Sequence, residues 1–181
     1  MDRPIVPSPD EHWSPDHLVL SRKVLAHAGR LFVERDAAGE LILNSPLADM
    51  AAVEQRYPAW ALGPFGRIEP EYALPETPGV YALVSSGVVR YVGSAQNLAR
   101  VFSARHGMGY ISRRDAQRSR REERARLNRL ITAEARSGND VDLYLLVMPS
   151  RWSWRRRRSD DPARIAAEIV SNTRGDWHLP E

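Results

Sequence analysis

The stretch GVYALVSSGVVRYVGSA, residues 79–95, decides how the second half of the chain is read. Gly79-Val80-Tyr81 opens it and Tyr91-Val92-Gly93 nearly closes it, with apolar residues on both sides of Ser85-Ser86-Gly87. Valine and tyrosine favour strands, and a small polar triplet ending in glycine favours a turn. The stretch therefore reads as a hairpin with strands over 80–84 and 88–92. Strand preference explains one Gly/Tyr triplet. It does not explain two, placed symmetrically on the two arms and followed by Ser94-Ala95-Gln96-Asn97-Leu98.

Outward from the hairpin, Ser94 to Arg105 reads as a short helix with Leu98 and Phe102 on one face, broken by Gly107-Met108-Gly109. Arg113 to Ser137 reads as a long polar helix whose apolar positions, Leu127, Leu130 and Ile131, lie in its C-terminal half. Residues 140–147 form an apolar third strand, residues 149–161 a loop, and Ala163 to Thr173 a last helix. The expected class is α/β (α+β): a small three-stranded sheet in the order β-β-α-α-β-α, over residues 77–181. Residues 1–76 read as an N-terminal helical and hairpin extension. Its predicted parts are a helix from Ser14-Pro15-Asp16 to Gly29, a hairpin about residues 35–39, a second helix from Pro46 to Tyr57, and a proline-rich strap up to Pro78. Specificity, dimerisation (a homodimer) or partner binding are its expected roles.

Composition narrows the function classes. Hydrophobic residues are 43% and charged residues 27% of 181, values of a globular chain. No apolar run approaches the ~18 residues of a membrane span. The first residues lack a secretory signal, so no membrane partner and a cytoplasmic location are expected. There is no cysteine, which excludes disulfides and thiolate metal sites. Lys23 is the one lysine; every other cation is arginine. Residues 1–78 carry seven Lys/Arg against twelve Asp/Glu, and residues 79–181 nineteen against eleven. A GC-rich genome accounts for arginine usage, but not for its distribution. A basic second part beside an acidic first part is the asymmetry of a nucleic-acid-binding domain with an appendage.

The Gly79-Val80-Tyr81 and Tyr91-Val92-Gly93 pair, with the Ser-Ala-x-Asn-Leu immediately after it, resembles the GIY-YIG nuclease superfamily over about residues 77–178. The resemblance implies a metal-dependent endonuclease that hydrolyses DNA phosphodiester bonds with one divalent ion, Mg2+ or Mn2+. A bacterial or phage restriction or defence nuclease fits the short chain and its extra N-terminal region. A binding module that has lost catalysis, and an RNA-directed nuclease, are the alternatives.

The chemistry needs an activated water, a cation for the phosphoryl charge and a stabilised leaving oxygen. The resemblance makes Tyr81 the general base or water-positioner and Tyr91 its hydrogen-bonding partner. Gly79, Gly93 and Ser94 would let the phosphate backbone approach. The family's arginine position falls on Val101 and its histidine position on Arg105; Arg100 precedes the one and His106 comes after the other. Either a slip in the turn brings Arg100 to the cleft, or Arg105, supported by Arg100, reaches the phosphate with a bidentate grip. Glu168 is the one carboxylate of the last helix and matches the family's metal-binding glutamate; pairing with Arg164 is the other reading. His178, after Trp177, stands where the family often has an asparagine. Arg113 and Arg114 of the long helix, and Trp152, Trp154 and Arg155, Arg156, Arg157 and Arg158 of the loop, are the expected nucleic-acid contacts. They would act through counterion release and base stacking, against the plain alternative of a solvated face and loop.

Overall fold

The computed structural model describes residues 14–148, 161–173 and 175–178. Its core is the predicted hairpin. β6 (Gly79–Ser85) and β7 (Val88–Ala95) are joined by Ser86-Gly87, both with positive φ (52° and 73°). This two-residue turn has the twist that antiparallel strands need. β6 is buried along its whole length, because β8 (Val141–Val147) pairs with its other edge, antiparallel, from Gly79↔Val147 to Ser85↔Val141. One register shift separates Leu83↔Tyr91 from Val84↔Val89, leaving Arg90 as the extra residue of β7.

The sheet does not stop at three strands. β2 (Lys23–Val33) pairs with the free edge of β8, and β1 (His17–Leu20) and β5 (Ile68–Pro70) pair with β2, giving the order β1-β2-β8-β6-β7 with β5 off β2. The expected three-stranded sheet is thus corrected to six strands, all antiparallel. The expected helix from Ser14 to Gly29 is corrected to the β1–β2 hairpin, which turns at Ser21-Arg22, both with positive φ. The helix-start signal is overridden by alternation of period two: Leu25, Gly29, Leu31 and Val33 are buried while Val24, Ala26 and Phe32 are exposed. An apolar β8 also needs a partner on each edge. The hairpin near residue 37 is present in reduced form, as an Arg35↔Leu41 bridge.

Apart from the last, the other helices are shorter than expected. From the Pro46–Tyr57 segment only α1 (Val53–Arg56) is helical. The strap contains a 3-10 turn (Ala59–Ala61) and β4 (Phe65–Gly66), which pairs with β3 (Leu43–Asn44). β7 runs on to Ala95, and the next element is a 3-10 turn, Leu98–Arg100, rather than a helix to 105. The long polar helix is split at Gln117-Arg118. α2 (Arg113–Ala116) is started by a Ser112/Asp115 capping box, a 3-10 turn spans Ser119–Arg121, and α3 (Glu122–Arg136) continues from it. The last helix, α4 (Pro162–Asn172), starts at an Asp161 cap.

Each face of the sheet is covered. On one, Tyr81, Leu83 and Tyr91 pack with Leu98, Phe102, Leu127 and Ile131. On the other, Val80, Ala82 and Val84 pack with Ile165, Ala166 and Ile169 of α4. A third cluster joins Leu47, Val53, Ala61 and Phe65 to Ile111, Ala116 and Ala125. Among the described residues no helix is long and apolar enough to cross a membrane.

Asn128 of α3 ties these layers together. It is fully buried; its amide donates to the carbonyls of Gly66 (2.9 Å) and Met108 (2.8 Å), and its oxygen accepts from the Gly66 N–H (3.1 Å). Asn128→Leu keeps the volume but strips partners from two carbonyls in a dry interior. At ~1–3 kcal/mol per orphaned group, a loss of about 3 kcal/mol in urea unfolding is expected.

Candidate functional site

The hairpin register places both tyrosines on one face. Tyr81 opposes Gly93, and Tyr91 opposes Leu83, so the two rings lie diagonally across the pair. Their centroids are 5.9 Å apart at 37°. Gly93 is required by this packing: a Cβ there would meet Tyr81 Cζ at 2.6 Å and Tyr91 Cε1 at 2.7 Å. A Cβ at Gly79 would meet the Leu146 carbonyl at 2.5 Å and Leu98 at 2.6 Å. Both glycines are buried, and protein atoms, not an open approach for phosphate, fill the space beside them.

The Tyr91 hydroxyl donates to Oε1 of Glu123 at 2.7 Å. A carboxylate only accepts, so the one proton of Tyr91 goes to Glu123 and its oxygen is left to accept from Tyr81. Burial first, then the Glu123 charge, holds the Tyr81 phenol above its ordinary value. Burial, then the charge of Tyr81, then that of Glu123 with its hydrogen bond, does the same to Tyr91. Both hydroxyls are therefore protonated donors and positioners near neutral pH.

These groups open into a cleft of about 490 Å³. Its other walls are Ser94 to Asn97 at the end of β7, Arg100 and Val101 of the 3-10 turn, His106 to Met108, and Arg121, Glu123, Arg124 and Leu127 of the split helix. Arg124 donates to the His106 carbonyl, which ties the loop wall to α3, and Arg121 lies 3.5 Å from Asp115, which ties α2 to the 3-10 turn. Arginines outnumber the single carboxylate of the lining, Glu123, and the cleft suits an anion.

The sequence-predicted residues divide. Tyr81, Tyr91, Ser94, Arg100 and His106 are brought together. Arg105 is exposed and outside the cleft wall, whereas Arg100 and Val101 both line it. Arg113 pairs with Asp49 at 2.7 Å, and Arg114 is exposed; neither lines the cleft. Glu168 is exposed on α4, whose buried face covers the opposite side of the sheet. Trp152, Trp154 and Arg155 to Arg158 lie outside the described residues. His178 stacks on Tyr91, with centroids 4.4 Å apart at 21°.

No family model matches the chain, and no curated protein or solved structure matches it.

Glu123, Arg121 and Arg124 are the lining residues that sequence reasoning passed over. A signal was present: Glu123 lies four residues before Leu127 and eight before Ile131, so the apolar stripe extended back one turn ends on a carboxylate. Among the described residues no group of three or more His, Cys, Asp or Glu gathers to hold a metal. A one-carboxylate site remains compatible with magnesium, which takes one or two carboxylates and fills its shell with water and phosphate oxygens. Glu123, with one oxygen on Tyr91 and the other not so engaged, fits that role. Nearby, desolvation and then the charges of Arg114, Arg120 and Arg121 hold the Arg118 guanidinium below its ordinary value. A crowd of like charges at the helix break is relieved by polyanion binding.

Proposed function

We propose that the chain is a phosphodiester hydrolase acting on nucleic acid, DNA before RNA, of the GIY-YIG kind that the hairpin resembles, and that a restriction or defence role is its setting. The observation that carries this is the convergence of two tyrosine hydroxyls, one carboxylate and three arginines in one cleft, centred on the 2.7 Å Tyr91–Glu123 bond. Tyr81, held protonated and rigid between Tyr91 and Phe102, orients a water at the phosphate. Tyr91 transmits the position of Glu123 to Tyr81. Arg100, at the mouth, grips the phosphate oxygens. Glu123 would hold the divalent ion, Mg2+ or Mn2+; when bound there, such an ion neutralises phosphoryl charge and cancels the carboxylate field that raises both phenols.

Plasmid incubated with Mg2+, with and without EDTA, tests the reading, with the ends sequenced. Cleavage that EDTA abolishes supports it; discrete ends indicate a site-specific enzyme and a smear a nonspecific one. Intact plasmid with a retained gel shift would favour the binding module, for which Val101 at the family's arginine position in the cleft is the supporting observation.

The arginine question has a direct measurement. Arg100→Ala is expected to lower the single-turnover rate about 10²-fold, the usual scale for losing one transition-state donor. Arg105→Ala, off the cleft wall, is expected to stay within about threefold. Equal rates for both variants and wild type would remove Arg100 from the phosphate.

A further inference from the structure

The last described residues return to the hairpin by a specific route. After α4 the chain crosses to the outer edge of β7, where Gly175 lies so close that a Cβ would meet the Arg90 carbonyl at 2.0 Å. Asp176 pairs with Arg90 at 2.7 Å, and the Trp177 N–H donates to the Arg90 carbonyl at 3.0 Å. Arg90 is the bulged residue of β7, so its carbonyl is not spent on β6. The Trp177 ring is buried in the cluster that holds both tyrosines. The Val92 N–H then donates to Nε2 of His178 at 3.0 Å, and the imidazole lies flat on the Tyr91 ring.

A backbone N–H can only donate. Nε2 of His178 must therefore be the unprotonated nitrogen, which fixes a neutral imidazole with its proton on Nδ1. Protonating Nε2 would set one N–H against another and cost the bond. Tyr91 is then held from three sides: by His178 on its face, by Tyr81 across the hairpin, and by Glu123 at its hydroxyl. Among the described residues, Arg90 and Asp176 of the strap and its strand are charged and pair with each other.

We propose that His178 is a positioning residue for the cleft. By accepting the Val92 N–H while stacked on Tyr91, it fixes the ring that aligns Glu123 with Tyr81, and it does so only while neutral. This rests on the reading of the cleft as catalytic. It assigns the acid limb of the pH profile to a residue that touches neither phosphate nor water. When acid protonates the imidazole, the latch opens and Tyr91 loses its support. A misplacement of about 1 Å costs up to ~10²-fold in rate.

Two full-length variants separate the bond from the stack. His178→Gln supplies an acceptor oxygen that does not titrate; His178→Phe keeps the ring and removes the acceptor. Single-turnover cleavage of plasmid would be followed from pH 5 to 9 at saturating Mg2+, with thermal unfolding as the control for folding. The expected result is an acid limb in wild type, no such limb in His178→Gln at a plateau within a few-fold of wild type, and in His178→Phe a rate without this limb, about tenfold below the wild-type plateau. In parallel, the Val92 amide resonance should shift between pH 5 and 8 in wild type and stay still in His178→Gln. A stationary Val92 resonance in wild type, or an acid limb unchanged in His178→Gln, would overturn the proposal. A titrating Val92 in a protein that cleaves nothing would overturn the nuclease reading and uphold the latch.

Discussion

Glu123→Gln is expected to lower single-turnover cleavage about 10³-fold, while Glu168→Ala leaves it within about twofold of wild type. Glutamine retains the shape of glutamate and an oxygen to accept from the Tyr91 hydroxyl, now 2.7 Å from the carboxylate. The fold and the tyrosine pair are therefore kept, and only the charge is lost. If that charge holds the divalent ion, its removal falls on the chemical step at the scale seen for lost electrostatic stabilisation, ~10²–10³ or more. Calorimetric titration of Mg2+ in the presence of uncleavable DNA should show binding in wild type and Glu168→Ala and none in Glu123→Gln. Tyr81→Phe should match the loss of rate but keep the ion, because it removes a hydroxyl and no charge. The reverse pattern, with Glu168→Ala inactive and Glu123→Gln intact, would return the metal to α4 and require α4 to move, since it now covers the far face of the sheet.

The hairpin was legible because its signals are local. Strand-forming residues, a two-residue turn with positive φ and the Gly/Tyr spacing all lie within residues 79–95. The shared face of Tyr81 and Tyr91 was not legible: regular pairing about the turn would set Tyr91 opposite Ala82, and the Arg90 bulge moves it opposite Leu83, onto the side of Tyr81. The β1–β2 segment was misread because its decisive interaction is with β8, more than a hundred residues away, and a Ser-Pro helix start is a local signal that long-range pairing overrides. Arg113 to Ser137 looked like one helix because Gln117 and Arg118 are ordinary helix formers. The break accompanies the Ser112/Asp115 capping box, which satisfies one short helix, and lets Ala116 of α2 and Ala125 of α3 both join the cluster of Leu47 and Phe65. Glu123 was passed over because it lies midway along the expected polar helix, among arginines whose charge an acidic neighbour offsets on a solvated face. Only the neighbouring Leu127 shows which way it faces.

A chain cut to residues 77–181 is expected not to fold, although the sequence alone divides the protein there. Cutting removes β2 from β8 and leaves an apolar strand, with Leu143 and Leu145 buried in the intact sheet, facing water along a bare edge. It also removes Leu31, Val33 and Ile68 from the tyrosine-face cluster, and Leu47 and Phe65 from the cluster under α2 and α3. Each fully buried side chain of this size contributes ~1.5–3 kcal/mol. Five of them together reach the whole net stability of an ordinary domain, ~5–15 kcal/mol. The loss does not stop at apolar surface, since Asn128 and Thr132 would lose the Gly66 backbone they bond in the interior. Size-exclusion chromatography and near-ultraviolet dichroism should show an aggregated or unfixed fragment, and no cleavage should survive. A monomeric fragment with a cooperative melt would mean that residues 14–76 are a removable cover. The specificity of the cleft would then have to be sought in residues 77–181 alone. Failure to fold makes the N-terminal strands part of the scaffold of the cleft, because α3, which carries Glu123, packs against residues 47–66 and against the hairpin.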